Sequence, residues 1–175
     1  MNVSLIKYIL LFIALILLQE FVFDNIQVDT LLTPYIYILF ILILPFSYAP
    51  SVVVIISFLL GLSVDFFTTD MLGLHAFACT ITGYARRFVF KAIKPKDDTE
   101  QQITTTTIYT MGWRPFLLYS AILVLVHHSA LFLVETFKFH NPLYTVLHIL
   151  LSSLVSITFI ILIELAFFRN PRSQS

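Results

Sequence analysis

The chain has 175 residues, of which 59% are hydrophobic and 11% charged, with a formal net charge of zero. An average soluble domain carries about 25% charged residues, and a chain this short cannot bury so much apolar surface within itself, so most of its solvent must be lipid. Zero net charge excludes a global basic field for nucleic acid, and the lone cysteine, Cys79, excludes an internal disulfide.

A helix needs about 20 mostly apolar residues to cross a bilayer. The first such run is about Leu5–Phe23. No small-residue cleavage site follows it, so it reads as a retained span rather than a removed signal. The second is about Leu31–Phe46, with Pro34 near its start. Pro45 and Pro50 bracket a tight turn before the third, about Ser51–Phe67. The fourth, about Met71–Phe90, is marginal. A polar loop follows over about 91–114, and its "TTTT" is β-prone, so a short strand is one expectation there. Pro115–Phe137 and Pro142–Phe168 complete the set, each opened by a proline. The expected fold class is an all-α polytopic membrane protein, one transmembrane domain with six helices.

Orientation follows from the basic residues. With six spans and the N-terminus inside, Lys7, Arg86, Arg87, Lys91, Lys94, Lys96, Arg114, Arg169 and Arg172 all fall on the cytoplasmic side, and only Lys138 falls outside. Nine of ten on one side satisfies the positive-inside rule, with both termini cytoplasmic.

Chemistry-bearing groups concentrate in "GLSVDFFTTDMLGLHAF", residues Gly61 to Phe77. On this topology it is the outer end of the third helix, a short turn and the outer end of the fourth. Asp65 and His75 are expected to face each other there, and Asp70 to cap the next helix. Gly73 permits a close backbone approach. Ser57 with Gly61, and Cys79 with Gly83, are small residues four apart that suit tight helix packing. Three readings stand: a capped hairpin with an interfacial ion pair, a partner-docking surface built on Asp65, Asp70, Gly73 and His75, or a proton relay. The relay lacks a nucleophile beside it.

The pattern "GLSVDFF…LGLHAFACTITGYARR", preceded by a "P-Y…LPF" span, resembles the MreD family of the bacterial rod-shape system. The resemblance implies a non-enzymatic protein of the inner (cytoplasmic) membrane. Its implied partners are MreC, the cytoskeletal MreB, the glycosyltransferase RodA and the associated transpeptidase. It also implies a fold similar to the substrate-binding subunits of energy-coupling-factor vitamin transporters. A transporter subunit of that kind is the rival reading, and it would need polar groups converging on an open pocket.

The remaining polar residues have structural readings. His128 and His148 lie within about a turn of depth across the hairpin of the last two helices, and interhelical hydrogen bonding is expected. Ser152 and Ser156 share a helical face. His148 lies on the same face as Ser152, but a nucleophilic dyad there has no third group. Arg114 and Glu164 fall level at the inner face and are expected to pair. Arg86, Arg87, Lys91, Lys94 and Lys96 form a juxtamembrane basic cluster, suited to anionic membrane lipid or to a filament such as MreB. No metal site, cofactor motif or catalytic residue is expected.

Overall fold

The computed structural model describes residues 3–23, 32–68, 71–93, 105–135 and 142–167. Asp70, Lys94 and Lys96 lie outside the described residues, as do Lys138, Arg169 and Arg172. Seven α-helices occur among those described: α1 (Val3–Leu18), α2 (Ile38–Ile43), α3 (Pro50–Phe67), α4 (Leu74–Ile93), α5 (Ile108–Met111), α6 (Trp113–Glu135) and α7 (Pro142–Phe167). α1 continues into a π-helical turn over Gln19–Phe23. Among the described residues, four segments are long and apolar enough to cross a membrane: Leu5–Phe23, Pro50–Phe67, Trp113–Glu135 and Pro142–Phe167.

Packing runs α3 on α4, α4 on α6 and α6 on α7, with α1 attached more loosely through α2 and α3. The α3–α4 seam is set by small residues. A Cβ on Gly61 would lie 2.5 Å from the carbonyl carbon of His75 and 2.6 Å from Cα of Ala76, so only hydrogen fits there. A Cβ on Gly83 would lie 2.8 Å from Cβ of Ser57. Close backbone approach of this kind substitutes for a hydrophobic driving force between helices in lipid.

The segment expected as a second span is helical only over Ile38–Ile43, whereas residues 32–36 are not helical. Pro34 withholds an N–H, and a residue before proline is driven from the helical region. Pro45 acts likewise on Leu44, which is extended at φ −51°, ψ 140°. This broken segment threads the middle of the bundle. Ile36, Tyr37, Ile38, Leu39, Ile41 and Leu42 are fully buried. The "TTTT" stretch forms no strand over its described residues. Thr107 instead caps α5 reciprocally with Thr110, each side chain bonding the other's backbone N–H.

Candidate functional site

Non-helical backbone in a bilayer is tolerated where protein satisfies its polar groups. Here side chains from other helices do so. Thr33 N donates to Ser152 Oγ at 3.0 Å and Tyr35 N to Ser156 Oγ at 2.9 Å. Gln19 takes Ile36 N on Oε1 at 2.9 Å and donates Nε2 to the Pro34 carbonyl at 3.1 Å. Ser152 and Ser156 thus accept from the broken segment in addition to lying on a helix-packing face.

The far end of α2 is held in a corresponding way. The Arg86 guanidinium donates to the Leu44 carbonyl, and Thr106 Oγ1 donates to the Leu42 carbonyl. Tyr119 OH also donates to Leu42 O at 3.2 Å and accepts from Arg86 Nε at 2.9 Å. The guanidinium lies 4.0 Å from the Phe46 ring centroid. A cation at a helix C-terminus meets the negative end of the helix dipole, and the ring face adds a second attraction. Arg86 is only 2% exposed, so within the expected juxtamembrane cluster its side chain is turned into the bundle, while Arg87 and Lys91 are exposed.

Asp65 and His75 do not pair side chain to side chain. The Asp65 carboxylate accepts His75 N at 2.8 Å and Ala76 N at 2.9 Å. Phe77 N bonds to Gly73 O at 2.9 Å, which makes Gly73 the N-cap of α4 and His75 and Ala76 its second and third residues. Gly73 sits at φ +96°, where a side chain is strained, and it has none with which to cap. Asp65 supplies the missing cap from α3. At 1% and 7% exposure, Asp65 and His75 are buried rather than outward-facing, which corrects their expected place on an exposed surface; Asp70 lies outside the described residues. Among the described residues, large apolar side chains are exposed at this end of the hairpin: Phe66, Phe67, Met71 and Leu72, with Phe66 and Leu72 above 80%.

His75 turns its ring inward. Its Nδ1 lies 2.7 Å from Tyr37 OH, which also meets His127 Nε2 at 3.1 Å. Cys79 Sγ lies 3.8 Å from the same His127 nitrogen. Tyr35 packs against the rings of His75, His127, His128 and Phe132. His128 meets Val124 O at 2.9 Å and Ser156 Oγ at 3.2 Å, not His148. His148 stacks on Phe132 at 3.9 Å and bonds Thr33 Oγ1 at 2.9 Å, so it does not activate Ser152. Among the described residues no three His, Cys, Asp or Glu groups are placed to hold a metal ion.

The expected Arg114–Glu164 pair does not form. Arg114 is exposed, whereas Glu164 is buried and accepts Ile108 N on Oε1 at 3.1 Å. Its other oxygen has no partner among the described residues. Arg114 lies in the first turn of α6 and is exposed.

Sequence reasoning missed Gln19, Thr33, Tyr35, Tyr37, Thr106 and Tyr119. The available signal was a broken apolar run between two prolines, which requires polar partners elsewhere in the chain.

The apolar helices, packed around a broken central segment held by buried side chains, define a helical integral membrane protein. The chain belongs to the MreD family: the family described as rod shape-determining protein MreD matches residues 2–169, nearly its whole length. That makes it a shape-determining protein of the bacterial rod system and not a member of a known enzyme family. No curated protein and no solved structure matches it, so the expected likeness to vitamin-transporter subunits is not confirmed.

Proposed function

We propose that this protein is a non-enzymatic scaffold of the cell-wall elongation complex. It would bind MreC and stand beside the peptidoglycan synthases, RodA and its transpeptidase, with MreB on the cytoplasmic side. The observation that carries the reading is the interior. The middle of the bundle is filled by Tyr35–Leu44, all nearly or fully buried. The serines, glutamine and arginine around that segment bond to its backbone.

In this reading α4 and the broken segment cross the bilayer along with the four apolar helices. Crossing by both is what brings nine of the ten basic residues to the inner side and both termini into the cytoplasm. The α3–α4 hairpin then reaches the outer membrane edge, where an exported partner such as MreC has most of its mass. Phe66, Met71 and Leu72 form the contact surface, with Asp65 and Gly73 shaping it from behind. Rigid placement of these side chains lowers the ordering cost of association. The test is co-purification from native membranes. Replacing Phe66 and Leu72 together by Ala is expected to leave insertion intact, reduce MreC recovery at least about tenfold and round up rod-shaped cells. Normal recovery and normal shape would remove the hairpin from the interface.

A further inference from the structure

A cleft of about 410 Å³ opens between the start of α3 and the end of α4, beneath the Gly83–Ser57 contact. Its walls are apolar, with Val54 from α3 and Phe88 and Phe90 from α4, while Tyr48 and Tyr84 stand among them. Three cations line it, Arg86, Arg87 and Lys91, and no carboxylate does among the described residues. Arg87 and Lys91 are exposed and four apart on α4. Like charges at that spacing destabilise a helix by a few tenths of a kcal/mol unless an anion lies between them. Arg86 is buried behind the wall, with its guanidinium on carbonyl and phenol oxygens and no carboxylate against it among the described residues. Its positive charge is therefore uncompensated by any carboxylate and reaches the cleft through a medium of low dielectric.

From this juxtaposition we infer that the cleft binds the phosphate end of one anionic phospholipid. The headgroup lies between Arg87 and Lys91, and an acyl chain runs along Val54 and Phe88. Apolar walls beneath a cationic rim fit an amphiphile better than a free ion or a soluble polyanion. Tyrosines are characteristic of the headgroup level of a bilayer, and the inner leaflet, which faces this end under the proposed orientation, supplies anionic lipid to juxtamembrane cations. The inference uses only that orientation and does not depend on any protein partner.

Native mass spectrometry of the full chain tests it, with the protein released from nanodiscs of equal phosphatidylglycerol and phosphatidylcholine. The expected result is one retained phosphatidylglycerol per chain and no retained phosphatidylcholine. R87Q/K91Q should lower that retention about tenfold or more, given the contribution of each cation near an anionic headgroup. V54W, which fills the cleft and leaves the charges in place, should lower it similarly. K7Q, on the neighbouring groove, should leave it unchanged. Equal retention of the two lipids, full retention by V54W, or a loss with K7Q matching that of R87Q/K91Q would overturn the site in favour of general surface charge. Displacement of the lipid by millimolar inorganic phosphate would overturn it in favour of a free-anion site. Because no protein partner is present, failure here leaves the scaffold reading standing, and failure of that reading leaves this result unaffected.

Discussion

Replacing Asp65 by Ala should destabilise the fold by removing the cap of α4. The carboxylate accepts two backbone N–H groups, at 2.8 and 2.9 Å, and is 1% exposed, so water cannot take its place. Hydrogen bonds to a charged group contribute about 1.5–3 kcal/mol each, and an ordinary cap deletion costs about 1 kcal/mol. Two orphaned donors at the start of a 20-residue helix should cost about 3 kcal/mol. Asp65→Asn keeps one acceptor oxygen but loses the charge facing the helix dipole, and should cost about half as much. Unfolding of purified protein in mixed micelles, followed by circular dichroism, measures both. The order wild type, Asn, Ala is expected, with hydrogen exchange fastest at the His75 and Ala76 amides. An Ala variant within a few tenths of a kcal/mol of wild type would refute the capping role. Loss of MreC binding without loss of stability would restore the acidic docking surface.

Gly61→Ala should cost about 2–3 kcal/mol, because the new methyl meets the backbone of His75 and Ala76, which cannot move aside. Gly83→Ala meets the Ser57 side chain instead, so Ser57→Gly should rescue it and should not rescue Gly61→Ala; thermal melts of the four variants decide this. Ser156→Ala removes the acceptor of Tyr35 N, and should cost about 1–2 kcal/mol and speed exchange at that amide. An unchanged exchange rate there would show that Ser156 does not hold the Tyr35 amide.

What could be read in the sequence was local. Ser57, Gly61 and Gly83 declare close packing by size and spacing alone, and Pro142 opens its helix where expected, whereas α6 starts at Trp113, before Pro115, and Pro50 is the first residue of α3 rather than part of the turn. Asp65 is conspicuous as a carboxylate in an apolar run, yet its task depends on a helix start ten residues later whose own N-cap is a glycine. Pro34 and Pro45 carried the warning that residues 31–46 would not be one helix. The partners that make the break possible, Gln19, Ser152 and Ser156, are up to 121 residues away from it and follow no pattern of spacing. Arg86 and Arg87 are adjacent in sequence and opposite in environment, since successive residues on a helix point about 100° apart. A charge count cannot separate them. The Arg114–Glu164 pairing failed in a related way: which side of its helix each residue presents was not legible, and Arg114 is exposed while Glu164 is buried.

In the proposed function the chain works by holding another protein at the outer end of the α3–α4 hairpin. A photo-crosslinking residue placed at Leu72, which is 81% exposed, tests this most directly in growing rod-shaped cells. The account predicts a strong, specific crosslink to MreC from position 72 and none from position 39, which is buried in α2. Crosslinks from position 72 to lipid alone, in cells where the protein is functional and correctly inserted, would contradict it.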